Sequence, residues 1–215
     1  MKSKNMKPLA LASLLCLPLA AQAEETRYWS VHGGMNKLSD WPARVNFGGP
    51  SVDASLKIER GMQFGAAVGK QYDKARYELE YQHGQFDISG ATVAALAQAA
   101  DASGKYDVVT FNAYRSLPLN AALSTYAGLG LGYGRINLPQ VGGASGCRCL
   151  GKASKGGAAY QARIGMEYRM SESGLAFMQA GWLSLAGARS DGAAYVAYPR
   201  RGFAMLSVGY RGLFN

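Results

Sequence analysis

The feature that most constrains the fold of this chain is a two-residue alternation of apolar and polar side chains, clearest between residues 160 and 169. One row is apolar and has a tyrosine at each end: Tyr160, Ala162, Ile164, Met166 and Tyr168. The alternate row is mainly polar: Gln161, Arg163, Gly165, Glu167 and Arg169. Successive side chains of a β-strand point to opposite faces, whereas a helix repeats about every 3.6 residues. The alternation therefore predicts a strand with one apolar face and one charged face.

Seven other segments alternate in the same way, so the sequence predicts eight strands. The eight predicted strands cover residues 27–36, 55–70, 75–86, 105–116, 122–136, 157–170, 174–186 and 202–214. Each has about the 10 or more residues that a tilted strand needs to cross a lipid bilayer. Residues 116–134 carry no charge, but Pro118 and the four glycines spaced two residues apart between positions 128 and 134 favour a strand over a membrane helix. These glycines are expected to make room for arginine and tyrosine side chains opposite them.

The connections between the predicted strands alternate in length. Short turns are predicted at residues 71–74, 117–121 and 171–173, and long loops at 37–54, 87–104, 137–156 and 187–201. Short turns at one end and long loops at the other are typical of an antiparallel up-and-down β-barrel that crosses a membrane. The even number of strands places both chain ends on the side of the short turns, which is the periplasm in such barrels.

The chemistry of the two faces decides which one meets lipid. An arginine or lysine on the lipid face at mid-bilayer costs roughly 2–4 kcal/mol, and a shift of one residue would turn a whole row outward. We therefore expect Tyr77, Leu79 and Tyr81 to face lipid. In the second strand we expect Ile58 outward and Glu59 inward, with Arg60 at the surface-side rim. A water-soluble lipocalin-like barrel, the main alternative, would carry its apolar row inside.

The first 23 residues have the pattern of an export signal. Three lysines precede the apolar run from Leu9 to Leu19, and Ala21-Gln22-Ala23 provides a small-x-small cleavage site. Cleavage after Ala23 removes 23 of the 215 residues and leaves a barrel of 192, residues 24–215. Without those lysines the net charge falls from +9 to +6, an excess that suits anionic lipid headgroups and acidic polysaccharides and is too diffuse to indicate nucleic acid.

The last strand resembles the C-terminal strand of outer-membrane proteins, because Val208, Tyr210 and Phe214 share one face of residues 203–214. Residues 125–133 and 160–168 resemble the fifth and sixth strands of the small outer-membrane β-barrel superfamily, OmpA/OmpX/Opa-like surface antigens. The resemblance implies a location in the cell outer membrane and an assembly signal at those three residues, read by the barrel-assembly machinery. Asn215 after the final phenylalanine departs from the pattern. Members of the family include structural barrels, adhesins, complement-resistance proteins and a few enzymes.

Charged residues on the inward rows are the main candidate site. An eight-stranded barrel has an interior just wide enough for side chains to fill it, and an unpaired buried charge is costly. We therefore expect a salt-bridged network that closes the barrel, formed by Lys57, Glu59, Arg76, Glu78, Glu80, Arg163, Glu167, Arg169 and Arg211. A narrow water-filled pore is the alternative.

Two histidines, His32 and His83, raise the question of catalysis. Ser30 shares a face with His32, which suggests a hydrolase such as a lipid A deacylase, but the order of the pair is reversed relative to that family and no acidic partner is evident. We expect the side chains of Ser30 and His32 to point into the lumen. We expect no enzymatic activity, no cofactor and no metal site. His83 is expected near the surface rim.

The long loops carry the remaining candidates. Candidate contacts with lipopolysaccharide phosphates or sulfated host glycans are Arg148, Lys152, Lys155, Arg200 and Arg201. Cys147 and Cys149 are a candidate disulfide across one residue, although the geometry would be strained, and two thiols are too few for structural zinc. The alanine-rich segment 91–102 is expected to form a short surface helix. The first long loop is a candidate partner-binding tip, formed by Lys37, Trp41, Arg44 and Phe47.

These observations predict a surface-antigen type of outer-membrane barrel. Its strands would anchor the protein, and its loops would contact the envelope or a host surface, possible partners there being lipopolysaccharide, matrix molecules and other host surface molecules. A porin-like channel for small solutes or ions is the second hypothesis. An outer-leaflet enzyme that modifies lipid A is the third and has the least support in the sequence.

Overall fold

The computed structural model describes residues 25–46, 48–94, 96–141, 150–190 and 195–214, so the predicted signal segment lies outside the described residues. The strands are β1 (Glu25–Lys37), β2 (Trp41–Asn46), β3 (Ser51–Tyr72), β4 (Ala75–Val93), β5 (Leu96–Pro118), β6 (Leu123–Leu138), β7 (Ala153–Arg169), β8 (Gly174–Leu185), β9 (Tyr195–Ala197) and β10 (Arg201–Leu213). Within these ranges, no helix has the length and apolar composition needed to span a membrane.

Eight of these strands form a closed antiparallel ring, as the alternation predicts. Each strand from β3 to β7 pairs with its successor in sequence, and β8 pairs with β10. The ring closes because β1 pairs with β10 on one side and with β3 on the other. The remaining strands, β2 and β9, were not predicted; β2 pairs with β3 and then with β9 above the ring.

Strands β3, β4 and β5 are longer than predicted, at 22, 19 and 23 residues. They continue into the segments that the sequence indicated as the first two long loops. The expected surface helix at residues 91–102 is wrong, because this segment is the tip of the β4–β5 hairpin, where Val93 pairs with Leu96. Cross-strand pairing along the hairpin outweighs the intrinsic helix propensity of alanine, which tertiary context commonly overrides.

The short turns lie where the sequence predicts them. Residues 73–74 join β3 to β4, and Asp73 has a φ of 48°, a left-handed conformation that aspartate tolerates better than most residues. In the turn between β5 and β6, the Asn120 side chain accepts hydrogen bonds from the backbone amides of Ala122 and Leu123, both at 2.9 Å. The third turn covers residues 170–173. All three lie at the end of the barrel that we assign to the periplasm.

The two faces of the ring have the predicted polarity. Exposed apolar side chains form an outward belt, and large aromatic residues occur near both of its ends, such as Trp29 and Tyr168 at the turn end and Tyr133 and Trp182 at the loop end. Arg163, by contrast, is 4% exposed and lies inside. The outward row of residues 160–168 therefore meets lipid while the charged row faces the lumen.

One part of β3 departs from the predicted register. The pairing with β4 shifts between Lys57 and Gly61, so that Glu59 and Arg60 are both exposed while Ile58 is buried. The predicted orientations of Ile58 and Glu59 are wrong, because a β-bulge inserts unpaired residues and changes the side on which the following side chains lie. Arg60 lies on the loop side of the belt, as expected.

The interior has two layers, and the upper one is apolar. We call it the apolar cap; it consists of buried residues from the loop half of the barrel, principally Leu38, Trp41, Leu56, Phe86, Leu183, Tyr198 and Phe203. Trp41 is fully buried, packs its ring against Phe86, Tyr198 and Phe203, and donates its Nε1 hydrogen to the Pro199 carbonyl at 3.0 Å. The expectation that Trp41 forms a partner-binding tip is therefore wrong.

Candidate functional site

Below the apolar cap lies a polar layer with six buried charged side chains. They are Arg76, Glu78, Glu80, Arg163, Glu167 and Arg211. Three are cationic and three anionic, so the set is balanced. Each comes from the inward row of a ring strand, where the alternation of the sequence places it. We call this set and its hydrogen-bond partners the lumen network.

The end of the lumen network nearest the turns is built around Glu167. One of its carboxylate oxygens, Oε2, accepts hydrogen bonds from Arg76 at 2.9 Å and Arg211 at 2.6 Å. The Arg76 guanidinium lies 4.5 Å from the ring centroid of Tyr114 and 4.6 Å from that of Tyr126. Aromatic faces attract a guanidinium, so these rings stabilise the cation whose water shell has been removed.

Glu78 is satisfied mainly by neutral donors. The hydroxyls of Tyr28 and Tyr114 donate to its carboxylate at 2.8 and 2.9 Å, and the Asn112 amide donates at 3.2 Å. Among the described residues, no cationic group lies within ion-pair distance of it. These three donated hydrogen bonds replace the hydrogen bonds to water that the carboxylate loses when it is buried.

Glu80 is the centre of the lumen network. It pairs with Arg163 at 2.7 Å and with the Nε2 of His32 at 2.6 Å. The amides of Asn112 and Gln161 also donate to it, both at 2.9 Å. The acidic partner of His32, which is not evident from the sequence pattern, is therefore Glu80, since β1 and β4 bring the two side chains together across β3.

A layer of neutral polar groups joins the charges to the apolar cap. The second nitrogen of the Arg163 guanidinium donates to the Gln82 carbonyl oxygen at 2.8 Å, and Gln82 in turn donates to Gln63 and to the Tyr106 hydroxyl. The Tyr106 ring packs against Phe203 of the cap at 4.9 Å between centroids. Hydrogen-bonded and apolar packing are therefore continuous along the interior.

Three residues predicted for the lumen network lie outside it. Lys57 and Glu59 are exposed, because they lie in or beside the β3 bulge above the lipid belt. Arg169 has the expected inward parity but is exposed, because it is the last residue of β7 and the barrel opens to solvent there. A run of alternating residues gives the face of a side chain but does not give its depth.

The glycines of β6 fit the expected spatial role only in part. A Cβ atom at Gly128 would lie 2.1 Å from the Tyr114 ring, so this glycine does make room for a tyrosine. At Gly130 the nearest atom belongs to Asn112, and at Gly132 it is the backbone oxygen of Val109. Tyrosine is therefore the neighbour at one of these positions, and the amide of Asn112 or the adjacent backbone at others.

Ser30 and His32 are both buried on the inner face of β1, as the sequence suggested, while His83 lies at the loop-side rim. The Nδ1 of His83 contacts Asp107 at 2.8 Å, and the Tyr81 hydroxyl donates to the same oxygen at 2.7 Å. His83 therefore belongs to the outer wall and not to the lumen. Within the described ranges, Ser30 and His32 do not hydrogen-bond to each other, and no cluster of His, Cys, Asp or Glu has the grouping of a metal site.

The candidate loop contacts differ in their exposure and in the neighbours that their side chains contact. Lys152 and Lys155 are exposed, and the exposed Arg200 lies 4.5 Å above the Tyr160 ring. Arg201 is held by hydrogen bonds to Ser39 and to the Asp40 carbonyl. Arg148, Cys147 and Cys149 lie outside the described residues.

Tyr198, beneath this surface, is buried in the apolar cap. Burial raises the pKa of its hydroxyl, which therefore stays protonated near neutral pH.

Charge is distributed unevenly around the loop end. One side, which we call the basic side, has cations on the loop halves of β6 and β7, just before β7, and between β8 and the start of β10. They are Arg135, Lys152, Lys155, Arg189, Arg200 and Arg201. The described residues on the loop halves of these strands include no aspartate or glutamate. The opposite side, from β1 to β5, includes acidic residues such as Asp40, Asp53 and Asp87 beside its cations.

The C-terminal strand has the expected outward row. Val208, Tyr210 and Phe214 are all exposed on the lipid face. Tyr210 packs beside Trp29 with 5.7 Å between ring centroids, and the Phe214 amide donates to the Arg27 carbonyl at 2.9 Å. The strand thereby joins β1 and closes the ring at the turn end.

Comparison with known proteins places these features in a family. Residues 9–194 match the model of the outer membrane protein beta-barrel domain. A search of curated protein sequences gives no match.

Solved structures resemble the chain in fold. OprG of Pseudomonas aeruginosa has 16% identity and a TM-score of 0.63, with 89% of this chain and 99% of that chain covered. Neisserial surface protein A has 13% identity and a TM-score of 0.54, with coverages of 86% and 97%. The outer membrane protease OmpT of Escherichia coli has 8% identity and a TM-score of 0.50, with coverages of 91% and 99%. Identities this low indicate a shared barrel architecture alone.

Proposed function

Because the chain belongs to the outer membrane protein β-barrel family, we propose that it is a closed structural anchor that presents a folded surface platform to molecules of the envelope or of a host. The outer membrane is its location, and an N-terminal signal cleaved after Ala23 is the proposed route of export. The observation that carries the proposal is the filled interior, in which the lumen network lies under the apolar cap.

The filled interior supports an anchor over a channel. Glu80, Arg163 and Glu167 are at most 5% exposed, and their charged groups are engaged by one another and by neighbouring side chains. An ion that entered would have to displace these contacts and then cross the apolar cap. Eight-stranded barrels have little room for both side chains and a water column.

The platform above the membrane supports a role in contact. Strands β3, β4 and β5 extend past the lipid belt, and β2 and β9 add to the sheet there. The cap packs beneath this extension, so the exposed side chains are carried on a rigid support. Binding residues are commonly found on loops that a rigid scaffold positions.

The basic side supports an anionic partner. Phosphates of lipopolysaccharide or sulfates of a host glycan would meet Lys152, Lys155 and Arg200, and the described loop halves of β6 to β8 carry no aspartate or glutamate to compete. Arg148 of the same loop is a further candidate contact. Because exposed charges are screened over about 10 Å at 0.1 M salt, such binding should weaken as salt rises.

Binding to immobilised lipopolysaccharide and to a sulfated glycan tests this role. We expect the refolded barrel to bind at low salt and the triple variant Lys152→Gln, Lys155→Gln, Arg200→Gln to lose most of that binding. The matched control replaces Lys37, Arg44 and Lys57, three exposed cations of the opposite side, by glutamine and should bind almost as well as the parent. Equal loss in both variants would show that net charge, and not the basic side, governs binding.

A narrow porin is the second candidate, favoured by the polar character of the lower interior. Planar-bilayer recording separates it from a closed anchor, because a porin gives steady nanosiemens-scale conductance. We expect the barrel to be electrically silent. Steady conductance that persists at low voltage would replace the anchor by the porin.

We also propose that the protein has no catalytic activity. The strongest catalytic candidate, Ser30 with His32, is buried, and His32 is bound to Glu80 below the cap. A substrate in the outer leaflet would have no approach to it. Mass spectrometry of lipid A from cells with the parent protein and with Ser30→Ala should give identical spectra; an acylation difference would contradict this.

A further inference from the structure

The outer wall of the barrel has a concave region on the lipid side, spread over strands β4 to β8. It is a groove of about 980 Å³. Large and small side chains alternate along one cross-strand row of it: Tyr77, Ala113, Leu129, Ala162 and Trp182. The next row toward the turns has Arg115, Ala127 and Ala180 among its members. The alanines form the floor of the groove, Leu129 and Ile164 project from that floor between them, and Tyr77 and Trp182 lie at its two ends.

A guanidinium stands at the turn end of this groove. Arg115 points outward and is exposed, and it pairs through the backbone with Ala75, the first residue after the β3–β4 turn. Within the described part of the chain it has neither a hydrogen-bond nor an ion-pair partner, and no acidic residue lines the groove. A cation costs little near the membrane interface, and there its side chain reaches the headgroup region.

The combination of an apolar groove with a terminal guanidinium matches a phospholipid. We propose that the groove binds one anionic phospholipid of the periplasmic leaflet, with acyl chains over the alanine floor and the phosphate bound by Arg115. Guanidinium and phosphate form paired charge-assisted hydrogen bonds, so charge and shape point to the same ligand.

A second copy of the chain fits the groove less well. A two-fold interface brings the same patch of both subunits together. Two concave floors would then face each other across a void, and two Arg115 guanidinium groups would approach with no described acid to separate them. A phospholipid has flexible chains that fill a concave surface and a negative group that pairs with the cation.

A tryptophan in place of Tyr77 provides the reporter, because Tyr77 lies at the turn end of the groove beside Ala113, whereas the native Trp182 lies at the loop end. Trp29 and Trp182 are replaced by phenylalanine in the test background, so that the Tyr77→Trp indole is exposed to lipid and Trp41 is buried. This protein is refolded into phosphatidylcholine vesicles that contain a small fraction of phosphatidylglycerol brominated on its acyl chains. Bromine quenches a nearby indole, so the loss of fluorescence reports the local fraction of the anionic lipid. In the reverse arrangement, the same fraction of brominated phosphatidylcholine is placed in unbrominated phosphatidylglycerol vesicles, so that quenching reports the local fraction of the zwitterionic lipid.

We expect brominated phosphatidylglycerol to be enriched at the Tyr77→Trp indole roughly fivefold over its bulk fraction, the ratio that corresponds to about 1 kcal/mol for one basic residue near an anionic lipid. Arg115→Gln should bring the ratio close to one. Ala113→Leu with Ala162→Leu should do the same by filling the floor with apolar atoms that the lipid face tolerates.

The matched controls change the same residue types, an outward alanine and an exposed arginine, at positions of the outer wall away from the groove. Ala66→Leu changes an outward alanine of β3, and Arg27→Gln removes an exposed cation at the same rim; both should leave the enrichment unchanged. Folding of each variant is checked by heat-modifiable gel mobility. Quenching in proportion to bulk fraction, or an enrichment that survives either Arg115→Gln or the filled floor, would overturn the proposal.

Discussion

Replacing Glu80 by glutamine is the sharpest test of the lumen network, because this carboxylate holds the largest number of contacts in it. The change keeps the size of the side chain and removes its charge. Arg163, which is 4% exposed, then loses the counter-ion that lies 2.7 Å from it. Its remaining bond to Gln82 is to a neutral group and does not balance the charge.

The magnitude follows from the cost of an uncompensated buried charge. Removing one partner of a buried ion pair typically costs about 3–5 kcal/mol. With a dependence of the unfolding free energy on urea of about 2 kcal/mol per molar, the midpoint should fall by roughly 2 M. His32 adds to the effect in the same direction, since it also loses its carboxylate partner.

The assay is a reversible urea titration of the barrel refolded in lipid vesicles, followed by tryptophan fluorescence and by gel mobility. Glu59→Gln is the matched control, because Glu59 is an exposed residue of the same type that the sequence alone assigned to the network. A surface change of this kind should alter stability by less than about 0.5 kcal/mol. Adding Arg163→Gln to Glu80→Gln should recover part of the loss, because the unpaired cation is then absent.

Three results would refute this reasoning. The first is a loss below about 1 kcal/mol in Glu80→Gln, which is too small for a bare buried cation. The second is an equal loss in Glu59→Gln. The third is strict additivity in the double variant, which would mean that Glu80 and Arg163 do not interact energetically.

The remaining predictions concern export, assembly and the apolar cap. N-terminal sequencing of the protein from outer membranes should begin at Glu24; an intact Met1 would contradict the proposed signal. Phe214→Ala should reduce the amount of folded barrel in cells while leaving refolding into detergent intact, as measured by heat-modifiable mobility in both settings. Trp41→Ala should cost about 3–5 kcal/mol in urea unfolding and make the loop end sensitive to protease, since it removes the central side chain of the cap.

The number of ring strands and the direction of their faces could be predicted because both follow from local alternation. Residues 160–169 specify a strand and its lipid face without any partner. The short strands β2 and β9 could not be found in this way, since three to six residues carry too little periodicity. The bulge of β3 also escaped prediction, because it depends on the pairing with β4 and not on the composition of Lys57 to Gly61.

The candidate site was predictable as a set of charges but not as a set of contacts. Alternation placed Arg76, Glu80 and Arg163 inside, yet the partners of Glu80 come from strands far apart in sequence. Tyr28 and Tyr114 were missed because a tyrosine in a barrel strand suits both an interfacial girdle and a lumen. Their parity with neighbouring polar residues, such as Ser30 for Tyr28 and Asn112 for Tyr114, was the available signal.

The two interior layers depend on each other, and this dependence supports the proposed role of an anchor. Ion pairs such as Arg163 with Glu80 are strong only where water is excluded, and the apolar cap excludes it from the loop side. The cap in turn needs a floor, since Phe203 rests on Tyr106, whose hydroxyl is fixed by the amides of Gln63 and Gln82. A channel would require both layers to be interrupted along one line. A chain with either layer alone would be a leaky barrel or an unsupported surface, whereas the two together close the bore and hold the platform in place.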